Sequence, residues 1–176
     1  MDAIRLLTED HQSFDALFKR FAAAHSPRLR DDLARRVIHE IEVHIALEEK
    51  YVYPIARERS GAQLDDHGEL KVSLAKLKAM ESDDRCFGDR LAAFGAAVLA
   101  HTTEEELHFF PALRNAMGRG ELEALGRLIQ NARAARPEEP AVGGLMDRAV
   151  SHLLASWKGQ LTHAFGRLYS AVVTHS

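Results

Sequence analysis

An internal repeat constrains this chain more than any other feature. His44, Glu48, Glu49, Tyr53 and Pro54 align with His101, Glu105, Glu106, Phe110 and Pro111, so both segments read H-x-x-x-E-E-x-x-x-aromatic-P with an offset of 57 residues. Upstream of each lies an Asp-His pair, Asp10-His11 and Asp66-His67, at an offset of 56. A repeat of this length is one supersecondary unit, here a helical hairpin, that cannot bury its apolar face alone. Two hairpins packed together make four helices, each hairpin carrying one lone histidine and one H-x-x-x-E.

The apolar spacing agrees with that. Residues recur three and four apart and never alternate at period two for long, which predicts helices rather than strands. Ile4, Leu7, His11, Phe14, Phe18 and Phe21 share a first stripe. Val37, Ile41, His44, Glu48, Tyr51 and Ile55 form a second. Leu64, His67, Leu70, Leu74 and Leu77 form a third, and Phe87, Leu91, Phe94, Val98, His101 and Glu105 a fourth. Breaks at Ser26-Pro27, Ser60-Gly61, Glu81 to Asp84 and Met117 to Gly120 predict helices over 2–24, 29–59, 62–81 and 84–117. Short connections make sequential neighbours antiparallel, so the expected fold is an all-α, up-down-up-down four-helix bundle over residues 1–117. Residues 118–176 then form a C-terminal helical extension. It has a helix near 121–135, a Pro- and Gly-rich linker from Arg136 to Gly144, and a last helix near 145–173. The broad apolar face of that last helix, with Trp157 as its anchor, predicts packing onto the bundle or a homo-oligomer interface.

Glutamate four residues after histidine lies on the same helix face, about 6 Å along the axis. His11, His44, Glu48, His67, His101 and Glu105 therefore bring four imidazoles and two carboxylates to the bundle interior. Burying unpaired charge costs several kcal/mol per ion, and this set would concentrate that cost in one layer. A metal pair removes it: two histidines end-ligate each ion, and each glutamate has two oxygens with which to bridge. Such mixed ligation suits iron, and also manganese or zinc. A metal-free polar layer of histidine–glutamate hydrogen bonds is the alternative.

The ordered set over about residues 1–117 resembles the hemerythrin-like, or HHE cation-binding, domains. The resemblance implies a non-haem, oxo- or hydroxo-bridged pair of iron ions, ahead of manganese or zinc, held by His11, His44, Glu48, His67, His101 and Glu105. It also marks a departure. Oxygen-carrying hemerythrins have a second histidine four residues after the first in the third helix, and here that position is Lys71. The pattern looks closer to a branch with four histidines and two H-x-x-x-E segments, associated with iron sensing and with redox or peroxide-related chemistry. The expected ligand is thus a small oxygen- or nitrogen-containing molecule such as peroxide, dioxygen or nitric oxide. A catalase- or peroxidase-like activity, a sensing module without turnover and a metal-free helical interaction protein are the three functional readings. No catalytic residue beyond the metal ligands is identifiable.

Tyr51 and His108 occupy equivalent positions three residues after each ligand glutamate, and are candidates for an additional ligand or for ordinary core positions. Glu49 and Glu106 are read as outer or exposed carboxylates, and Asp10 and Asp66 as outer carboxylates that orient a ligand or as helix-start residues. Pro54 and Pro111 are expected to kink or end their helices. The net charge of −3 gives no electrostatic reason to expect nucleic acid as partner. A lone Cys86 cannot form an internal disulfide and is read as a buried or incidental thiol. With no signal-like N-terminus and no apolar run of about 18 residues, the reading is a cytoplasmic protein without a membrane partner.

Overall fold

The computed structural model describes residues 1–60 and 67–135, and every segment of regular structure in them is helical. The stretch 61–66 with Leu64 and Asp66, at the start of the third expected helix, and the linker and last helix expected over 136–176 with Trp157, lie outside the described residues.

Helix α1 is Ala3–Ala23, opened by Asp2, whose carboxylate accepts the Arg5 backbone N–H. Helix α2 is Pro27–Leu47. Ser26-Pro27 thus begins this helix, with Ser26 as N-cap and Pro27 in the first turn, where a missing N–H costs nothing. A π-helical turn, π1, follows at Glu48–Val52 and runs without a break into α3, Tyr53–Ser60. Helix α4 is Gly68–Lys78, with His67 just outside it, and α5 is Phe87–Glu104. A second π turn, π2, spans Glu105–Phe109 and leads into α6, Phe110–Ala116. Helix α7 is Arg119–Ala134, closed at its start by Glu121, which accepts the Gly118 N–H at 2.9 Å.

The contacts fix the directions. Along α1, His11, Ser13 and Phe21 meet His44, Glu40 and Arg30 in turn, so α1 and α2 are antiparallel. Glu42 and Glu49 meet Lys78 and Lys71, which sets α4 antiparallel to the α2 run. His11 and Phe18 meet Glu105 and Phe94, which sets α5 antiparallel to α1. The result is the up-down-up-down bundle.

Two apolar cores are stacked along this bundle. One holds Phe14, Leu17, Phe21, Val37, Ile41, Leu74, Leu91 and Phe94 among its buried residues. The other holds Ile4, Leu7, Leu47, Val52, Phe109, Leu113 and, from α7, Leu122, Leu125 and Ile129. A thin layer of buried polar residues separates them: His11, His44, Glu48, His67, Thr102 and Glu105. Helix α7 lies along α1 and is pressed close. A Cβ on Gly126 would stand 2.4 Å from the Met1 carbonyl oxygen, so only glycine allows this approach.

Pro54 and Pro111 do not end their helices, which continue to Ser60 and Ala116. The π turns explain this. A proline has no N–H for the carbonyl four residues back, and its ring collides with that carbonyl in a regular α-helix. Here Tyr53 N–H reaches Glu48 O and Phe110 N–H reaches Glu105 O, five residues back in each case. The wider turn carries the chain past the proline, and both copies of the repeat use it.

Candidate metal centre

The polar layer is built symmetrically. His11 comes from α1 and His44 from the last turn of α2, with Glu48 opening π1. His67 precedes α4, His101 lies in the last turn of α5, and Glu105 opens π2. The ligating atoms form two groups, His11–His44–Glu48–Glu105 and Glu48–His67–His101–Glu105, and within each group all atoms lie within 4.8 Å of one another. Both glutamates belong to both groups. The His11 and His44 rings are 4.9 Å apart and the His67 and His101 rings 4.5 Å apart. The structure therefore brings all six of these residues together.

His67 is not on the helical stripe where its spacing put it. It sits one residue before α4 with φ 57°, in the left-handed region. A non-glycine residue rarely adopts that conformation, and it persists where surrounding contacts over-determine it. Here the fully buried His67 ring stacks on Tyr53 at 5.1 Å and 9°. Its Nε2 is 3.0 Å from the Tyr53 hydroxyl, and its Nδ1 is 3.4 Å from Glu49 Oε1.

Tyr51 and His108 are not in the cluster. Tyr51 is half-buried beside the second core, with the Lys50 ammonium 5.1 Å from its ring centre. The His108 side chain is 69% exposed and approaches Glu104 at 3.7 Å. The π turns are the cause: an i→i+5 turn returns the fifth residue, rather than the third or fourth, to the face of the glutamate. That fifth residue is Tyr53 in one hairpin and Phe110 in the other. Phe110 stacks on His11 at 5.5 Å and 14°, as Tyr53 stacks on His67. Tyr53 differs by its hydroxyl, which donates to Glu105 Oε1 at 2.9 Å. Burial, and then the Glu48 and Glu105 charges, push its phenol up, so it stays protonated and donates. Spacing alone missed Tyr53. The signal was present in the repeated aromatic-Pro pair.

Carboxylates surround the layer on its outer side. His11 Nδ1 is 2.8 Å from Glu106 Oε1, and His44 Nδ1 is 3.1 Å from Asp10 Oδ2. With the Glu49 contact to His67, three imidazoles turn Nδ1 outward to a carboxylate. An ionised carboxylate only accepts, so each Nδ1 carries the proton and each Nε2 faces the centre. Two of these carboxylates are themselves held by cations. Lys71, at the position where an oxygen carrier has histidine, donates to Glu49 at 2.6 Å. Arg133 of α7 donates to both oxygens of Asp10, at 2.9 and 2.5 Å.

The electrostatics are those of a site that concentrates opposite charges. Burial alone would push the Glu48 carboxyl up, but the His44 charge more than offsets it, holding Glu48 below its usual range. Burial is likewise overcome at Glu105 by the His101 and His11 imidazoles, 3.4 and 3.5 Å from its Oε2. Burial disfavours charge on His44, yet the Glu48 and Asp10 carboxylates push it up to about 10. His67 is pushed up to about 9 against burial by the Glu48 and Glu49 carboxylates, at 3.3 and 3.4 Å.

This balance leaves atoms over. Both oxygens of Glu48, Glu105 Oε2 and His101 Nε2 are buried without a hydrogen-bond partner. Buried polar atoms without partners cost about 1–3 kcal/mol each, and native proteins carry few of them. Four that converge on one layer, all of them metal-ligating types, fit a cation between them.

The remaining titratable candidates stand apart. Cys86 is exposed rather than buried, at the start of α5, and Asp66 lies outside the described residues. Among the described residues no helix is long and apolar enough to cross a membrane.

A protein described as a DNA nickase, from Nostoc sp. (strain PCC 7120), is 27% identical over 119 residues. The alignment covers 65% of this chain but only 33% of that protein, so the chain spans about a third of its relative's length. No solved structure matches. The sequence pattern of the hemerythrin HHE cation-binding domain matches residues 2–113, the stretch that supplies all six clustered histidines and glutamates, and the chain belongs to that family.

Proposed function

We propose that the polar layer is a non-haem di-iron centre that reacts with a small oxidant, peroxide foremost, with dioxygen and nitric oxide as further candidates. His11 and His44 would hold one ion, His67 and His101 the other, and Glu48 and Glu105 would bridge. The observation that carries this reading is the sharing of two buried glutamates between two histidine pairs, with carboxylate oxygens that have no hydrogen-bond partner. When bound, iron supplies one-electron redox chemistry. The chain's own part is to exclude bulk water with apolar cores on both sides, to aim four Nε2 atoms inward, and to keep a protonated hydroxyl at Tyr53 beside Glu105. Lys71, bound to Glu49, leaves one fewer imidazole than an oxygen carrier has, which favours turnover of an oxidant over reversible dioxygen carriage.

The test is iron quantitation after iron-replete expression, with an optical spectrum before and after hydrogen peroxide. About two irons per chain and peroxide consumption above that of free iron are expected. One iron or none per chain refutes the pair, and two irons without turnover leave the alternative, an iron- or oxygen-sensing module. That second reading draws on the tie between α7 and the centre through Arg133 and Asp10. It fails if iron removal changes neither stability nor oligomeric state. The Nostoc relative's printed name raises DNA as a target. The net charge of −3 provides no general attraction to it, and supercoiled plasmid is expected to survive incubation with the iron-loaded protein.

A further inference from the structure

We infer that Arg133 is a positioning residue of the metal centre and that α7, which lies beyond the family-matched stretch, is a working part of that centre. This rests on the metal-centre reading above. Three side chains form a relay from the surface inward. The Arg133 guanidinium grips Asp10 through both carboxylate oxygens, at 2.9 and 2.5 Å. Asp10 Oδ2 accepts from His44 Nδ1 at 3.1 Å. His44 Nε2 faces His11 Nε2 at 3.3 Å and Glu48 Oε2 at 3.2 Å.

Each link has a physical consequence. A carboxylate on the outer nitrogen of an imidazole fixes the ring's tautomer and orientation and raises the basicity of the inner nitrogen. The carboxylate can do this only while it is itself held in plane, and a guanidinium fork is the group whose geometry does that. Beside His44 itself, Arg133 is the cation that holds Asp10. The fork is in turn placed by α7. That helix is fixed on α1 by the close Gly126 approach and by burial of Leu122, Leu125 and Ile129, and it carries a second ion pair, Arg59–Glu121, whose two side chains are half-exposed. The second ion pair supplies a control.

Linkage makes the coupling reciprocal. If α7 docking helps to set His44 for metal, metal occupancy stabilises α7 docking by the same factor.

The experiment uses the full chain with cobalt(II) as probe, because its visible bands report ligand geometry. Arg133→Gln, Arg133→Lys, Asp10→Asn, the Arg133→Gln/Asp10→Asn double variant and Arg59→Gln are compared with the unaltered chain. Affinity is read by chelator competition, and the His44 Nδ1–H resonance is read by NMR without metal. We expect Arg133→Gln to weaken cobalt binding about 10-fold, the low end for outer carboxylate partners of metal-bound histidine, to shift the visible bands, and to lose or broaden the Nδ1–H resonance. Arg133→Lys restores part of each, Arg59→Gln changes none, and Arg133→Gln adds nothing once Asp10 is Asn. An Arg133→Gln variant that behaves like Arg59→Gln overturns the proposal, as does an undiminished effect in the Asp10→Asn background. If the unaltered chain binds no cobalt, the metal reading falls on its own. The metal-free resonance then decides whether Arg133 positions His44.

Discussion

Replacing Tyr53 with phenylalanine removes one oxygen from the polar layer and leaves the packing in place. The ring keeps its stack on His67 at 5.1 Å and its edge contact with Phe109 at 5.6 Å. What is lost is a hydroxyl that is 2.9 Å from Glu105 Oε1 and 3.0 Å from His67 Nε2. A hydrogen bond to a charged group contributes about 1.5–3 kcal/mol. Glu105 Oε2 already has no hydrogen-bond partner, so the variant leaves a buried carboxylate poorer still. We expect the metal-free protein to lose about 2 kcal/mol, a fall in Tm of roughly 4–8 °C for a chain of this size. Urea unfolding in the presence of a chelator, followed by far-UV circular dichroism, reads it directly, with m unchanged. The variant also makes the two halves of the site alike, since Phe110 already occupies the equivalent place over His11. A loss below about 0.5 kcal/mol would refute the reasoning, because a bond to a buried carboxylate cannot be that weak.

Removing a shared ligand should differ from removing an unshared one. Glu48→Ala is expected to empty both metal positions and His101→Ala only one, as counted by elemental analysis of the purified variants. The metal-free protein should be most stable between about pH 4.5 and 6.5. His44 and His67, raised from 6.5 to about 10 and about 9, add stability that is complete below pH 6.5 and is lost as pH climbs through those values. Glu48 and Glu105, held below 4.5, add stability that is lost as pH falls below it. A pH series of urea midpoints checks both limbs, and a midpoint that rises from pH 7 to 10 would contradict the histidine limb. Gly126→Ala should cost about 1–3 kcal/mol by overpacking, since its new Cβ meets the Met1 carbonyl at 2.4 Å. Faster proteolysis within α7 is the readout, and an unchanged rate would show that α1 and α7 yield without cost.

The helical class, the four-helix topology and the order of the histidines and glutamates were all readable from local periodicity and the repeat. Periodicity reports which side chains share a face when the backbone is a regular α-helix. It fails where the backbone departs from that. The third stripe passed through His67, yet His67 stands outside α4 in a left-handed conformation supported by Tyr53 and Glu49. Tyr51 and His108 share the glutamate face only under an i+3 rule that the π turns at Glu48 and Glu105 cancel.

By itself, then, the amino-acid sequence determined two matched hairpins, each with a lone histidine and an H-x-x-x-E, because i, i+4 spacing and an amphipathic stripe are properties of one helix. Tertiary structure decided what surrounds those residues. It put the Tyr53 hydroxyl between Glu105 and His67, gave Phe110 the matching place over His11, and brought Arg133 from beyond the repeat onto Asp10. Such contacts join residues as far apart in sequence as Asp10 and Arg133. Only the packing of one helix against another, and the wide turns that let the chain pass Pro54 and Pro111, could set them.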